Sequence, residues 1–315
     1  MTEIKLITCV GVEHDLALLP HFLQYYQGLG ISAGNIHAVL HASEDNTAEM
    51  DKAVALLSDY GIRPQERWIA PYTSKSMWDK RREIQKKVAK ADDWIISADV
   101  DEFHEFPVDL KEFLVYCDKK KLNCIQGVFV DRLAHDGKLT PVAPDTPIWE
   151  QYPIQADVMC TIRQYEQGNW AAGTVNVMAC KGSVLPSLGG HSALAGETPV
   201  NYLFGRHLGK LPGIGRAQVR FAVPLRVHHF KWTDRLTASL KKRLSTPGVS
   251  ERGKMYGEAL LNHIDGPGRI LVEKMPVRTP GFFERLPWKY QLNAFSQRLL
   301  RIRISNKLKK IVSKQ

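Results

Sequence analysis

The stretch Trp94-Ile-Ile-Ser-Ala-Asp-Val-Asp-Glu-Phe103 runs from an apolar, β-prone segment straight into three acidic residues. Trp94 to Ala98 predicts a buried strand. Side chains alternate along a strand, so Asp99 and Asp101 are expected to point the same way at its carboxyl end. In open α/β sheets that edge is where ligands bind. Two carboxylates so placed repel each other unless a cation or a donor neutralises them. Mg²⁺ or Mn²⁺, held by one or two carboxylates together with substrate phosphates, satisfies both demands. The competing reading is a helix N-cap plus solvated charge at a strand-to-helix turn. The place of the cluster, directly after a hydrophobic strand, favours the metal.

Upstream of that strand, the chain alternates. Ile4 to Val10 predicts a buried first strand. From Asp15 to Leu29 the residues Leu18, Leu19, Phe22, Leu23, Tyr26 and Leu29 recur at helical spacing, and Gly30 sits at the expected stop. Ile36 to Leu40 predicts a second strand, followed by the polar turn His41–Thr47. A helix over Ala48–Tyr60 ends at Gly61, Arg67–Ala70 predicts a third strand, and residues 76–91 a basic helix. This order means an α/β domain with a mixed, mostly parallel sheet flanked by helices. After residue 105 only Ile125–Val130 and Val175–Ala179 read as strands, and regular alternation is lost between Lys138 and Pro224. From about Leu236 the chain is helical and basic.

Composition sets the outer limits. With 315 residues, 44% hydrophobic and 24% charged, the chain has ample means to build a core. It carries no apolar run of membrane-spanning length and no signal-peptide pattern at its start, which predicts a cytoplasmic protein. Cys9, Cys117, Cys124, Cys160 and Cys180 form no Cys-x-x-Cys pair and are expected to be reduced and buried. The net charge of +10 is concentrated in the tail, where no acidic residue occurs from Arg285 to Gln315. The near-neutral remainder argues against nucleic acid as a partner. Leu292, Phe295, Leu299 and Ile302 fall on one helical face beside Arg298 and Arg301, while Arg301-Ile-Arg-Ile304 alternates like a strand. Residues 288–315 are therefore expected either to lie on an anionic membrane surface or to dock on the catalytic domain or a second subunit.

Asp99-Val-Asp-Glu-Phe103 resembles the metal-binding Asp-x-Asp element of GT-A-fold glycosyltransferases, in the Asp-x-Asp-Glu-Phe variant of family 2-like and family 92-like members. Other stretches agree in order. Leu19-Pro-His-Phe-Leu-Gln-Tyr-Tyr-Gln-Gly-Leu-Gly-Ile31 resembles the first helix of the family, and Ser43-Glu-Asp-Asn-Thr47 the turn after its second strand. Asp131-Arg-Leu-Ala-His-Asp-Gly-Lys138 and Val227-His-His-Phe-Lys231 resemble later landmarks. Val10-Gly-Val-Glu-His14 departs from the Lys-Asn-Glu that often follows the first strand in the family. The resemblance implies a catalytic domain over residues 1–235, with a nucleotide-binding half (1–105) and an acceptor-binding half (106–235). Residues 236–315 form a basic helical extension.

It further implies transfer of a sugar from a UDP- or GDP-linked donor to a saccharide or lipid-linked saccharide, commonly with inversion. Asp99, Asp101 and a downstream His, taken as His229 or its neighbour His228, would hold Mn²⁺ or Mg²⁺. Glu102 would orient a metal-bound water or a sugar hydroxyl, and Asp45 would meet the base or ribose. Lys80, Arg81, Arg82 and His191 are candidates for the phosphates. The carboxylate that deprotonates the acceptor is sought among Asp131, Asp157, Glu166 and Glu197. Glu197 comes first, because it follows the flexible loop Leu188–Gly196. Trp149, Tyr152, Trp170 and Trp232 are candidates for sugar stacking. A phosphotransferase, a nucleotidyltransferase and a non-catalytic carbohydrate-binding relative are the rival readings. The intact acidic cluster counts against the last.

Overall fold

The structure is a computed structural model that describes residues 2–167, 174–194 and 196–312. In chain order the helices and strands are β1 (Ile4–Gly11), α1 (Leu19–Gly28), β2 (Ile36–Ala42), α2 (Thr47–Asp59), β3 (Glu66–Ile69), α3 (Ser74–Val88), β4 (Trp94–Ser97) and β5 (Glu102–Glu105). They continue with α4 (Leu110–Lys119), β6 (Cys124–Leu133), α5 (Ile148–Gln151), β7 (Ile154–Ala156), α6 (Val158–Gln167) and β8 (Val175–Lys181). The last are α7 (Ala217–Arg220), β9 (Arg226–His229), α8 (Leu236–Ser245), α9 (Glu251–Asn262) and α10 (Trp288–Val312).

The first four strands form the expected parallel block, in the order β3-β2-β1-β4. β1, β2 and β4 are buried almost throughout, as apolar runs covered on both faces should be. α1 sinks Leu19, Phe22, Leu23 and Tyr26 into the main core, and each such side chain contributes about 1.5–3 kcal/mol by leaving water. Gly30 takes φ +87 at the end of this helix, a left-handed conformation that suits glycine.

Beyond β4 the sheet becomes mixed. β8 pairs antiparallel with β4 and β6, β9 runs parallel to β6, and β5 pairs antiparallel with β9 at the far end. The chain thus crosses between two well-separated places in the sheet within the four residues 98–101, since β4 and β5 are not neighbours. Those four residues include Asp99 and Asp101. Both lie in a turn, closed by the Glu102 N–H donating to Asp99 O at 2.9 Å, and not on a strand as the alternation argument requires.

The basic tail is also resolved differently from its strand-like reading. Residues 301–304 continue the helix α10. Its apolar face, Leu292, Phe295 and Leu299, is buried in the main core, with Phe295 against Phe204 at 4.9 Å. The predicted apolar stripe therefore docks on the protein's own fold. Outward-facing Lys289, Arg298 and Arg301 are exposed. Among the described residues no helix is long and apolar enough to cross a membrane. All five cysteines are buried.

Candidate functional site

Three side chains converge at one end of the antiparallel β5–β9 pair. Asp101 ends the turn, Glu102 opens β5, and His229 closes β9, where it is the register partner of Glu102. One ligand atom from each lies within 4.8 Å of the other two. The turn is pinned there because the Phe230 N–H donates to Asp101 O at 2.7 Å. His229 Nε2 stands 3.4 Å from Asp101 Oδ2, and its Nδ1 stands 3.1 Å from Asp131 Oδ1.

The charge in this cluster is crowded. Burial alone would lower the His229 pKa, but the Asp101 and Asp131 carboxylates override it and push it up to about 10. Burial would likewise raise Asp101, yet the His229 imidazolium holds it well below the ordinary carboxylate range. For Glu102 the pull of His229 and Arg81 is too weak to offset burial. Burial and the nearby charges of Asp99 and Asp101 push it up to about 8. Asp15, beyond β1, is raised to about 7 by burial and by Asp101, while its Oδ2 accepts from the Gly11 N–H at 2.7 Å. Such a set of carboxylates competes for positive charge, and a divalent cation supplies it in place of protons.

The residues fit a hard divalent ion. Two carboxylates and one imidazole within mutual reach form a donor set suited to Mn²⁺ and tolerable for Mg²⁺. Asp131 secures the third donor. It is fully buried and accepts from Met159 N at 2.7 Å, Trp232 Nε1 at 2.9 Å and His229 Nδ1. A carboxylate on Nδ1 fixes the ring and leaves Nε2 facing Asp101, the arrangement that supports a metal-ligating histidine. Asn176 does the same for Glu102, with Nδ2 donating to Oε2 at 2.8 Å.

Other sequence candidates take different places. Asp99 faces Arg81, which is buried on α3 and donates to it in a close ion pair, so the metal-ligand grouping is Asp101, Glu102 and His229 without Asp99. Arg81 also lies over the Trp78 ring at 4.9 Å. Arg82 bonds to Asp79 and to Pro186 O, and Lys80 to Glu66 and Glu83; neither joins the carboxylates. Asp45 is exposed in the turn after β2, where Thr47 donates to it. His228 turns to the other side of β9 and bonds to Glu105 at 2.7 Å. Asp131, enclosed by three donors, is a positioning residue for His229. Asp157 is held in a buried ion pair with Arg220 at 2.9 Å. Glu197 is exposed, and among the described residues no hydrogen bond or ion pair ties it to the three metal candidates. The side chain of Glu166 and all of Trp170 lie outside the described residues.

The loop expected to be a free lid is packed down. His191 Nδ1 bonds to Val175 O, and its carbonyl accepts from Gln126 Nε2 at 2.7 Å. Gly190 takes φ +69 and lies so close to Asn176 and Trp78 that a Cβ would meet them at 2.5 and 2.7 Å. Trp232 and Tyr152 are core residues, and Trp149 lines a cavity.

No family model and no curated protein matches the chain. Among solved structures it is similar to S. aureus TarS, a glycosyltransferase. With the crystal structure of TarS 1–349 the TM-score is 0.32 at 8% identity, covering 83% of this chain and 71% of that one. A second TarS crystal structure gives 0.31 at 9% identity, covering 84% of this chain and 44% of that one.

Asp15, Asn176 and Trp78 belong to the site's surroundings and escaped the sequence reading. Each is an ordinary residue for its place: Asp15 in the bend before α1, Asn176 in β8 and Trp78 in α3. Only the crossing of the chain from β4 to β5 brings them near the acidic turn.

Proposed function

We propose that the chain is a GT-A-type, metal-dependent glycosyltransferase that moves a sugar from a nucleoside-diphosphate donor to a hydroxyl of a saccharide or lipid-linked saccharide. The carrying observation is the convergence of Asp101, Glu102 and His229, with a buried arginine on Asp99 beside them. Asp101, Glu102 and His229 would hold Mn²⁺ or Mg²⁺, which supplies neutralisation of the charge that develops on a leaving diphosphate. Asp131 keeps the His229 ring oriented, and Asn176 keeps Glu102 directed at the same point. Arg81 holds Asp99, whose side chain is 44% exposed and so free to meet a donor from the solvent side. The acceptor-activating base remains to be drawn from the irregular half, with exposed Glu197 the first residue to replace.

The test is calorimetric titration of UDP, GDP and dTDP with and without Mn²⁺. At least one diphosphate is expected to bind far more tightly with the metal, and Asp101→Ala to abolish that gain. Failure of all three to bind in Mn²⁺ overturns the reading.

A lipid-linked acceptor would be met at the inner face of a cytoplasmic membrane, and the outward charges of α10 suit an anionic surface. Deleting residues 288–315 would strip Leu292, Phe295 and Leu299 from the core. The cleaner comparison neutralises Lys289, Arg298 and Arg301 together. Wild type is expected to sediment with anionic vesicles at low salt; equal sedimentation of the neutralised variant rules the contact out.

A further inference from the structure

The sheet face opposite His229 carries a second concentration of charge, of the other sign. Arg132, Arg226 and Arg278 are each no more than 6% exposed, and His228 is 5% exposed. Register places them together. Arg226 and His228 lie on β9, Val128 and Val130 of β6 pair with them, and Arg132 follows on the same side two residues later. Arg132 is the register partner of Gln155 on β7, and the Arg278 N–H donates to Gln155 O at 2.7 Å.

Two carboxylates serve these cations. Glu105 accepts from Arg226 at 2.8 Å and from His228 at 2.7 Å; Glu284 pairs with Arg278 and, at 3.4 Å, with Arg226. Arg132 is left over. It makes no hydrogen bond or ion pair among the described residues, and its guanidinium lies over Trp149 at 5.0 Å and Phe230 at 5.8 Å. Nε of Arg132, Nε of Arg226, Nε of Arg278 and Nδ1 of His228 are all sealed from solvent without a partner. A buried guanidinium with its donors unspent is costly, and native proteins satisfy such groups. Burial lowers Arg132 to about 10, against the pull of the Glu105 charge and with Arg278 acting in the same direction as burial. The cluster reaches solvent at Glu105, whose side chain is 40% exposed. Beside it, Trp149 forms a wall of a cavity of about 430 Å³ together with Tyr25 and Phe103.

We propose that Arg132, with Arg226, Arg278 and His228 around it, forms a second ligand site on this face that takes a phosphoryl group, separate from the carboxylate–histidine site. A planar guanidinium already stacked on an indole presents a fork that matches phosphate oxygens two at a time. Three arginines against two carboxylates leave the site one positive charge in excess before His228 is counted. Trp149 is shared with the neighbouring cavity, whose lining holds none of the four cations.

The experiment titrates the full chain, without metal or nucleotide, with inorganic phosphate and with glucose 6-phosphate at constant ionic strength, chloride serving as the control. Saturable binding of at least one phosphate is expected. Preference for the monoester identifies a phosphorylated metabolite as the occupant, and equal affinity identifies the free ion; either supports the site. Arg132→Lys keeps the charge and the aliphatic stem over Trp149 but removes the fork, and is expected to weaken binding about tenfold or more. Circular dichroism checks that it folds. Asp101→Ala, which strikes the other face, is expected to leave phosphate affinity unchanged, so this result stands apart from the glycosyltransferase test. Absence of saturable binding by either phosphate, or equal affinity in wild type and Arg132→Lys, overturns the proposal.

Discussion

His228 and His229 are neighbours in β9 and face opposite sides of the sheet. His229 meets Asp101, Glu102 and Asp131, an excess of carboxylates that raises its pKa to about 10. His228 meets Glu105 in a field of arginines; burial lowers its pKa, and Arg132 and Arg226 work in the same direction against the pull of Glu105. One residue of register separates a place that attracts cations from one that attracts anions. The strand's two-residue period is what makes this possible, because it sends adjacent side chains into unconnected surroundings. The contrast shows that a histidine pair in a sequence is two environments and not one motif.

The contrast can be broken most violently at Asp131. Asp131→Ala would leave Met159 N, Trp232 Nε1 and the charged His229 without their shared acceptor. The expected loss is about 3–5 kcal/mol of stability, read from the urea midpoint. The milder Asp131→Asn, if folded, should weaken Mn²⁺-dependent nucleotide binding by about 10–100-fold through its effect on His229 orientation. An unchanged affinity would mean that His229 is no ligand. Next in size is Asn176→Ala, which removes the side-chain amide that donates to Glu102 at 2.8 Å. A cost of about 1–2 kcal/mol is expected, with weaker metal dependence and no change on the His228 face.

The smallest effect lies on that other face. Burial would raise Glu105, but His228 and Arg226 override it and hold it at about 2. Its ion pairs therefore contribute stability above pH 4.5, the ordinary value, and that contribution fades as pH falls toward about 2. Glu105→Gln should flatten this acid limb. With the side chain 40% exposed, solvent screening keeps the change below about 1 kcal/mol. An acid limb as steep as that of wild type would show that Glu105 does not carry this dependence.

Legibility followed the range of the interactions. β1, α1, β2, α2, α3 and β4 appear close to their predicted bounds, because each rests on local periodicity and a nearby stop such as Gly30 or Gly61. Asp101, Glu102 and His229 were recognisable as candidates from residue type and order. The role of Asp99 was not: its partner Arg81 lies 18 residues upstream on a helix whose half-buried neighbours Lys80 and Arg82 look no different in sequence. Asp131 was legible as a carboxylate in the right region, and only its three buried donors make it a support for His229.

By itself the amino-acid sequence determined the alternating α/β half, the acidic cluster after a buried strand and the basic, amphipathic end. Periodicity and composition are properties of short stretches, and they survive reading one residue at a time. Tertiary structure alone decided that Asp99 and Asp101 sit in a crossing turn, that α10 covers its apolar face against the core, and that Arg132 is buried without an ion pair among the described residues. Those outcomes depend on which distant strands become neighbours, and strand register is set by the packing of the whole sheet.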